Sequence, residues 1–490
     1  MIPTITDTGL TMHPDHTRVV TRLFVAGRED VGPDESRATP VLLRVLELEE
    51  HEVDAAMRDL EERFGARHRA LHETFREHAE MVIDRVEGAA DNMSDARLML
   101  LGAAFTHEYA IEGAALCNPS GVLFPGGGDG YAPFIISVRG IGEGHRSSIG
   151  FRTGTVTTGG AITLDAPAPF PVIALAQPTL HHCSVFHAKL AEFDDDRGNA
   201  AFVLDPLAAR FDDVQLTERI DALSAHIETR GNTAVTISNL HHVASSSYRV
   251  EFPSTASISE RVLWPQSPAE HHGMEDARFV RFTDDDGKVT YYATYTAFDG
   301  VNIAQHLLET HDFRSFEMSP MAGAAARGKG LALFPRKVHG RFVALSRSDR
   351  ENNAIAFSDD MRCWQTSEQI QTPTRPWELL QLGNCGSPIE TEAGWLVLTH
   401  GVGAMRTYTL GVLLLDLNEP QRVIASSDLP IISPPEDHRD GYVPNVVYSC
   451  GAFAHGDVLV LPYGVADQSI AVATLSIREL LASLRYSTPT

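Results

Sequence analysis

Basic residues are scarce in this sequence. Its 490 residues include 40 Lys and Arg against 65 Asp and Glu, so the formal net charge at pH 7 is −25, and only four of the basic residues are lysines. A chain with this charge repels polyanions, which argues against nucleic acids and anionic membrane surfaces as partners. A cluster of basic side chains in this background therefore needs a specific explanation.

Cysteines are few, and they are scattered singly along the chain. They are Cys117, Cys183, Cys363, Cys385 and Cys450. None belongs to a CxxC pair, which indicates reduced thiols and neither a disulfide framework nor a zinc site. The sequence also lacks an HExxH motif, and we therefore expect no bound metal.

Long hydrophobic runs are missing as well. No stretch of about 18 apolar residues occurs, so no membrane-spanning helix is expected. Residues 1–20 contain Thr, Asp, His and Pro and lack the apolar core of a secretion signal. Together with the dispersed cysteines, this predicts a cytoplasmic protein. The hydrophobic fraction of 43% is typical of a folded globular chain.

The N-terminal quarter of the chain has a helical pattern. Apolar residues such as Val53 and Met57 recur at three- and four-residue spacing, with charged residues between them. A break follows, and Ser94 is expected to cap a third helix that runs to about Leu116. We predict a mainly helical module over residues 1–117, with a role in packing or assembly.

The rest of the chain consists of short apolar runs bounded by turn residues. A turn glycine followed by a β-rich run recurs at Gly287, Gly340, Gly394 and Gly456, at separations of 53, 54 and 62 residues. Hairpins repeated at this interval indicate a radially repeated sheet. We predict a mainly β fold, a five-bladed β-propeller over residues 118–490 preceded by the helical region. Two packed β-sandwiches are the alternative, but they would not produce this interval.

Several polar segments fit a site at one end of a propeller channel. Residues 275–278 read Glu-Asp-Ala-Arg at the start of a β-rich run, where one carboxylate is suited to be a general acid and Arg278 to shape its environment. Lys329 and Arg347 belong to a basic cluster that suits a phosphate or carboxylate ligand. His400, after an apolar strand, is either an anion donor or structural. Each segment alone is equally typical of a solvated turn.

Six strings occur in one order between residues 275 and 467. They are Glu-Asp-Ala-Arg-Phe at 275–279, Tyr-Thr-Ala-Phe-Asp-Gly at 295–300, Ala-Leu-Phe-Pro-Arg-Lys at 332–337, Gly-Ser-Pro-Ile-Glu-Thr at 386–391 with His400-Gly401-Val402, Gly-Tyr-Val-Pro-Asn-Val-Val at 441–447, and Ala466-Asp467. Together they resemble glycoside hydrolase family 130, the mannoside phosphorylases and related β-mannosidases. The helical N-terminal quarter lies outside the resemblance.

The resemblance implies inverting chemistry on β-mannosides in a five-bladed propeller, with phosphate attacking the anomeric carbon and an aspartate as the acid. The positions that it assigns are Asp276 as the acid, Lys329, Arg347 and His400 as phosphate ligands, and Asn118, Arg139 and Asp467 near the mannose. Glu275, next to the acid, is expected to point to the opposite face of an extended strand.

The predicted activity is therefore phosphorolysis of a β-mannoside oligosaccharide to α-mannose 1-phosphate, with phosphate as co-substrate and no other cofactor. Gln381 is a departure, because many family phosphorylases have a lysine there. The missing cation keeps an inverting β-mannosidase open, with its base among Glu143, Asp349, Glu351 and Glu390. A non-catalytic carbohydrate-binding propeller is the second alternative. Assembly into a homo-oligomer is compatible with the sequence.

Overall fold

The computed structural model describes residues 3–25, 38–85, 93–128, 130–226, 230–436 and 440–486. The chain divides into two compact units. The smaller unit contains Asp15–Gly113 and Ala168–Val172, and the larger unit contains Met1–Pro14, Ala114–Pro167 and Ile173–Thr490. The N-terminal module predicted over residues 1–117 differs from the smaller unit, because the residues before Asp15 group with the larger unit.

The secondary structure has the following bounds. The helices are α1 (Ala38–Glu47), α2 (Glu50–Phe64), α3 (Leu71–Ile83), α4 (Asp95–Ala104), α5 (Cys183–Glu192), α6 (Arg197–Leu204), α7 (Asp213–Ser224), α8 (Thr233–Ala244) and α9 (Ile477–Ser483). The strands are β1 (Ile5–Met12), β2 (Val19–Leu23), β3 (Thr106–Ala110), β4 (Ala115–Leu123), β5 (Tyr131–Ile141), β6 (Ser147–Thr157), β7 (Ile162–Leu164), β8 (Val172–Ile173), β9 (His181–His182), β10 (Arg210–Phe211), β11 (Tyr248–Glu251), β12 (Arg261–Leu263), β13 (Gly273–Thr283), β14 (Val289–Phe298), β15 (Ile303–Thr310), β16 (Ser315–Pro320), β17 (Ala332–Leu333), β18 (Phe342–Ser346), β19 (Asn353–Ser358), β20 (Ser367–Gln371), β21 (Gln381–Asn384), β22 (Ile389–Thr391), β23 (Gly394–Val402), β24 (Tyr408–Leu415), β25 (Val423–Ser426), β26 (Val447–Tyr448), β27 (Phe453–His455), β28 (Val458–Val465), β29 (Ser469–Ser476) and β30 (Arg485–Tyr486). Within the described ranges, no helix is both long enough and apolar enough to span a membrane.

The smaller unit consists of helices α1–α4 and the antiparallel strand pair β2–β3, whose strands precede and follow the helices in the sequence. Leu42, Val82 and Leu101 belong to its core. Helices α3 and α4 come very close at Gly102, where an added Cβ would lie 1.6 Å from the carbonyl oxygen of Phe75. Only glycine fits at that position, because the obstacle is backbone.

Helix α4 begins as predicted and ends earlier than predicted. Ser94 caps it by accepting a hydrogen bond from the backbone N–H of Arg97 at 3.2 Å. The expectation that it runs to about Leu116 is wrong, because the helix ends at Ala104. The residues after it pair with β2 as strand β3, and this tertiary pairing overrides the local helical pattern.

The antiparallel strands of the larger unit fall into five successive groups, called sheets 1–5, and the first two groups belong to one eleven-stranded sheet that also contains β11 and β12. Sheet 1 contains β4–β7, sheet 2 contains β13–β16, sheet 3 contains β17–β20, sheet 4 contains β21–β25, and sheet 5 contains β26–β29 with β1. Sheets 1 and 2 are also joined by a parallel bridge between Ser147 and Gly273. In sheet 5, β1 pairs antiparallel with β29, from Ile5 opposite Leu475 to Met12 opposite Ile470.

Hydrogen bonds link each sheet to the next and return from sheet 5 to sheet 1. The links, as donor and acceptor, are Phe279 N to Ser120 Oγ (3.0 Å), Thr283 N to Pro335 O (2.9 Å), Leu382 N to Glu351 O (3.0 Å), Tyr408 N to Asn445 O (3.0 Å) and Gly121 N to Gly451 O (3.0 Å). The sheets of the larger unit therefore succeed one another in a cycle.

Apolar cores fill the spaces between successive sheets. Strand β23 contributes to two of these cores, because its side chains alternate between the two faces of sheet 4. Trp395 and Val397 belong to the core shared with sheet 3, whereas Leu396 and Leu398 belong to the core shared with sheet 5. Such a sheet is buried on both faces, which explains its nearly continuous apolar run.

The four turn glycines of the sequence pattern lie at or before the second long strand of sheets 2–5. Gly287, Gly340, Gly394 and Gly456 have φ angles of 82°, 75°, 147° and 61°, values that favour glycine. Gly130, with φ 92°, is the corresponding residue before β5 of sheet 1. Gly130 does not fit the regular separation of the other turn glycines, because it lies 157 positions before Gly287.

A helical segment interrupts the larger unit between sheets 1 and 2. Helices α5–α8 share a core that includes Phe186, Leu216, Ile220 and Leu240. This segment was not predicted, because residues 118–490 were interpreted as β structure throughout. The spacing of Leu216, Ile220 and Leu223 on α7 is a helical signal that was available in the sequence.

Candidate active site

A cavity of about 220 Å³ in the larger unit brings together all seven residues proposed from the sequence. They are Asn118, Arg139, Asp276, Lys329, Arg347, His400 and Asp467. Sheet 1 contributes the first two, sheet 2 the third, sheet 3 the two cations, sheet 4 the histidine and sheet 5 the last aspartate. Because every sheet contributes, residues as much as 349 positions apart in the sequence meet in one place.

Asp276 lies in a bulge of strand β13. The register with β14 shifts between Glu275 and Arg278, and Asp276 has φ 55°, in the left-handed region. This conformation costs a non-glycine residue about 1 kcal/mol or more and is enriched at functional sites. The Asp276 carboxylate accepts hydrogen bonds from Asn118 Nδ2 and from Arg139 Nη1, the latter at 3.2 Å. The bulge therefore directs a strained, buried carboxylate into the cavity.

Asp276 is ionised in the unliganded protein. Burial alone would raise the pKa of this carboxyl, but the charges of Arg139, Lys329 and Arg278 and the Asn118 amide outweigh it and lower the pKa to about 2. A general acid must carry a proton before it can donate one. Asp276 could therefore act as a general acid only if the charges around it changed and its pKa rose.

Glu275 is not directed away from the site, as a regular strand would require. Its Oε1 lies 2.6 Å from Arg139 Nη2, and its Oε2 lies 2.5 Å from Lys329 Nζ. The expectation of an opposite face is wrong because the bulge at Asp276 ends the regular alternation. Glu275 therefore holds two of the cations that surround Asp276.

Arg347 and His400 form a second pair of contacting side chains in the cavity. Arg347 Nη1 lies 2.7 Å from His400 Nε2, and because a guanidinium only donates, this histidine nitrogen accepts. Burial lowers the pKa of His400 well below its usual range, and the charges of Arg347 and Arg278 act in the same direction. His400 is thus neutral and orients Arg347, whose buried Nε has no hydrogen-bond partner among the described residues.

Asp467 is the second carboxylate that lines the cavity. Burial raises its pKa to about 6, and the nearby Asp276 charge adds to this, while Arg139 opposes both. Asp467 has φ 48° in the turn between β28 and β29. The cavity therefore contains one carboxylate that is ionised at neutral pH and another that titrates close to neutral pH, and Arg139 lowers the pKa of both.

Three further residues line the cavity and were missed in the sequence. They are Arg406, Tyr408 and Tyr448. Tyr448 accepts a hydrogen bond at its hydroxyl from Arg278 Nη2 at 2.9 Å, and Tyr408 stacks on His400 with a ring distance of 6.0 Å. Arg406 has φ 54° in the loop after β23. Arg406 is the one basic residue of that loop, and a single basic residue beside His400 was the signal in the sequence that could have identified it.

The four carboxylates considered as alternative bases do not line this cavity. Among the residues that line it, the carboxylates are Asp276 and Asp467. Glu390 pairs with Arg336 at 2.6 Å, and Asp349 accepts hydrogen bonds from the backbone of Glu351 and Asn352. In the part of the chain that the structure describes, no group of three or more His, Cys, Asp or Glu side chains is placed to hold a metal ion.

A protein-family model matches residues 237–486. It is the model Glyco_hydro_130, described as beta-1,4-mannooligosaccharide phosphorylase, and it covers about half of the chain. The matched range contains Asp276, Lys329, Arg347, His400 and Asp467. Asn118 and Arg139 lie before the matched range.

Curated relatives and a solved structure are also similar to this chain. The beta-1,2-mannobiose phosphorylase of Listeria innocua is 34% identical over 231 residues, which are 45% of this chain and 63% of that protein. The 1,2-beta-oligomannan phosphorylase of a Thermoanaerobacter species is 34% identical over 230 residues, 46% of this chain and 75% of that protein. The structure of the Listeria enzyme in complex with beta-1,2-mannobiose has a TM-score of 0.45 at 22% identity, covering 76% of this chain and 92% of that chain. This chain therefore spans less than two thirds of the length of the Listeria relative.

Proposed function

The chain belongs to glycoside hydrolase family 130, and on that premise we propose that it cleaves β-mannosides by inverting phosphorolysis. An oxygen of inorganic phosphate attacks the anomeric carbon, the glycosidic bond breaks, and the leaving oxygen takes up a proton. The products are α-mannose 1-phosphate and the remaining sugar or oligosaccharide. The scheme needs phosphate as co-substrate and no cofactor.

The surplus of positive charge in the cavity is the observation that carries this proposal. Five cationic side chains line it, namely Arg139, Arg278, Lys329, Arg347 and Arg406, against the two carboxylates Asp276 and Asp467. When Glu275, which pairs with two of these cations, is also counted, a surplus of two positive charges remains. In a protein with a net charge of −25, a surplus of this size suits a ligand with the charge of a phosphate group.

Phosphate is best accommodated between Lys329 and Arg347. The lysine contributes an ammonium donor that is 37% exposed, and Arg347 has a buried Nε without a partner among the described residues. His400 does not donate to the anion in this arrangement and acts on it through Arg347. In this proposal His400 is thus a positioning residue, whereas Arg347 and Lys329 contact the nucleophile.

Phosphate binding would also supply the condition for proton donation. The anion offsets the charge of Lys329, which is one of the cations that lower the pKa of Asp276. The pKa of Asp276 then rises, because burial is opposed by fewer charges, although Arg139 and Arg278 still lower it. Nucleophile and acid are therefore coupled, since arrival of the first promotes protonation of the second.

The fold supports the same proposal. We infer that sheets 1–5 are the blades of a five-bladed propeller, because they succeed one another in a cycle with apolar cores between them. The cavity to which every sheet contributes then lies at one end of the central channel, where propellers place their ligands.

The test of this function is a requirement for phosphate. With β-1,2- or β-1,4-linked mannobiose as substrate, the protein is expected to release α-mannose 1-phosphate at a rate that rises with phosphate concentration and saturates. In phosphate-free buffer, turnover should fall to background. The products are identified by ³¹P and ¹H NMR, which also report the anomeric configuration. Release of free mannose at an unchanged rate without phosphate would reject phosphorolysis.

A β-mannosidase remains the second candidate, and Asp467 is the observation that favours it. An inverting hydrolase needs a base that activates water, and a carboxylate with a pKa of about 6 inside the cavity fits that role. The base would then be Asp467, because the four carboxylates considered from the sequence lie outside the cavity. The phosphate-free reaction above distinguishes the two activities directly.

The missing lysine at Gln381 leads to a prediction about phosphate affinity. Gln381 lines the cavity, and its Nε2 donates a long hydrogen bond of 3.4 Å to the hydroxyl of Tyr408. We expect Gln381→Lys to lower the KM for phosphate by up to about tenfold, as one added charge-assisted hydrogen bond allows. Gln369→Lys, which adds the same charge at an exposed position of β20, is the matched control. An equal effect of both variants, or none of either, would contradict a phosphate site at Gln381.

A further inference from the structure

A second cavity, of about 400 Å³, lies in the larger unit at the other end of the strands that lead into the candidate active site. Strand β4 contributes Asn118 to the first cavity and, further along, Val122 to the second. Strand β13 contributes Asp276 to the first cavity and Arg281 to the second. Both strands therefore run from one cavity to the other.

The other three sheets follow the same direction. Their contributions to the first and second cavity, in that order, are Lys329 and Pro335 from sheet 3, Gln381 and Ser387 from sheet 4, and Tyr448 and Phe453 from sheet 5. Because all five sheets contribute to each cavity, the two cavities lie at opposite ends of the space that the cycle of sheets encloses.

Packed backbone separates the two cavities. Ser120, which lies on β4 between them, accepts a hydrogen bond at its Oγ from the backbone N–H of Phe279 in sheet 2 at 3.0 Å. An added Cβ at Gly451 of sheet 5 would lie 2.6 Å from the same Oγ, and one at Gly386 of sheet 4 would lie 2.2 Å from the carbonyl oxygen of Cys450. Segments of four sheets thus touch between the cavities, and the second cavity is a pocket of its own.

The wall of the second cavity is mainly apolar and is held in place by packing. Phe453, which is 6% exposed, belongs to the core between sheets 1 and 5 and packs against Phe134 with ring centroids 5.2 Å apart. Phe279, Pro335 and Pro388 also line the cavity. The volume is within the usual range of ligand-binding pockets. A wall of this kind suits an apolar body of about the size of one aromatic ring.

One positive charge at the second cavity is uncompensated. Arg336 forms a two-point ion pair with Glu390, with N–O distances of 2.9 and 2.6 Å. Arg281 is exposed, forms no ion pair with any carboxylate of the described residues, and donates to the hydroxyl of Tyr291. That hydroxyl is neutral, because burial raises the pKa of Tyr291. The guanidinium of Arg281 therefore remains available for an anion.

A buried hydroxyl is the second polar group. Ser387 lines the cavity, and its Oγ has no hydrogen-bond partner in the part of the chain that the structure describes. Buried hydroxyls are normally hydrogen-bonded, and a serine hydroxyl can donate to a carboxylate. An apolar ligand with one carboxylate therefore matches the apolar wall, the guanidinium and the hydroxyl together.

We propose that the second cavity binds a small organic acid, namely a carboxylate attached to an apolar body of about the size of one aromatic ring. The apolar body lies against Phe279 and Phe453, and the carboxylate faces Arg281. A sugar does not suit this wall, which offers few hydrogen-bonding groups to a polyhydroxyl ligand. The inference is independent of the proposed function, because packed backbone separates this pocket from the first cavity.

The test compares a carboxylate probe with its uncharged amide. Binding of 4-phenylbutyrate and 4-phenylbutanamide to the full-length protein is measured by saturation-transfer NMR titration, with and without saturating phosphate. The wild-type protein is expected to bind the carboxylate about tenfold more tightly than the amide, as one charge-assisted hydrogen bond allows. Phosphate occupies the first cavity and should leave this affinity unchanged.

Two variants locate the probe. Arg281→Gln removes the charge and is expected to weaken binding of the carboxylate about tenfold, to the affinity of the amide, which should not change. Thr283→Trp, at the end of β13, fills part of the cavity and should weaken binding of both probes. Arg341→Gln is the matched control, since it removes the charge of another arginine at the surface. It should bind both probes as the wild-type protein does.

Four results would overturn the inference. They are absence of 4-phenylbutyrate binding, equal affinity for the carboxylate and the amide, displacement of the carboxylate by phosphate, and unchanged affinity in a folded Arg281→Gln protein. Displacement by phosphate would place the probe in the first cavity. The phosphate-dependent turnover assay judges the proposed function separately, since none of these titrations contains a mannoside.

Discussion

Replacing Asp276 by asparagine is expected to reduce kcat by 10²-fold to more than 10⁴-fold at saturating phosphate. The amide has the size of the carboxyl and can still accept the hydrogen bond from Asn118, but it has no proton to donate to the leaving oxygen. The measurement is kcat for mannobiose phosphorolysis. A variant that retains more than a tenth of the wild-type kcat would remove Asp276 from the role of acid.

The same variant should remain folded while losing some stability. The pKa of Asp276 falls on folding from 3.8 to about 2, so the ionised form stabilises the fold at neutral pH by about 2–3 kcal/mol, and this contribution disappears as the pH falls through that range. Asparagine removes it at every pH. Circular dichroism and the thermal midpoint check the fold, and Asp284→Asn, on the same sheet and near the surface, controls for loss of a carboxylate.

Arg347→Ala is expected to raise the KM for phosphate much more than the KM for the mannoside. The substitution removes a charge-assisted donor worth about 1.5–3 kcal/mol from the anion, which corresponds to about 10- to 150-fold in affinity. It also leaves His400 Nε2 without its donor. Initial rates over a matrix of phosphate and mannobiose concentrations separate the two constants.

Arg341→Ala provides the control for overall charge. Arg341 lies on the same sheet and pairs with Asp359 at 3.3 Å at the surface, so its loss should change neither constant. Equal increases of both KM values in Arg347→Ala would indicate a general disturbance of the cavity. An unchanged KM for phosphate would show that phosphate does not contact Arg347.

The fold could be predicted where local rules determine it. A turn that needs φ above zero selects glycine, and a strand buried on both faces is a short apolar run, so Gly287 and Gly340 marked the strands that follow them. The strand β1 could not be found this way. Its partner β29 lies more than 450 residues away, and half of its own residues are polar, as suits the outer strand of a sheet.

The helical segment α5–α8 was missed for a different reason. Its apolar spacing is helical, as Leu216 and Ile220 show, but the recurring turn glycines on which the β prediction rests do not distinguish this segment from the strands around it. At the end of α4 the error is the opposite one. The sequence there has a helical pattern, but the pairing of β3 with β2 is a tertiary interaction that local periodicity does not reveal.

The sequence indicated which residues line the cavity, but not which of them contact one another or which are protonated. All seven proposed positions line one cavity, yet the neutral state of His400 depends on its burial beside Arg347, and the contact of Glu275 with Lys329 depends on the bulge. Both are consequences of packing. Arg406 lies in a short loop that carries none of the family strings, and the structure alone brings it to the cavity.

The pairing of β1 with β29 also has a consequence for how the chain is made. Residues 5–12 are synthesised 457 positions before residue 469, the start of their partner. At about 5–20 residues per second, roughly 20–90 s pass before β29 exists. Throughout that time β1 has an unpaired strand edge, and such edges pair readily with other chains. The cycle of sheets can close only after synthesis of its last hairpin, and until then the first residues of nascent chains on neighbouring ribosomes are open to pairing with one another.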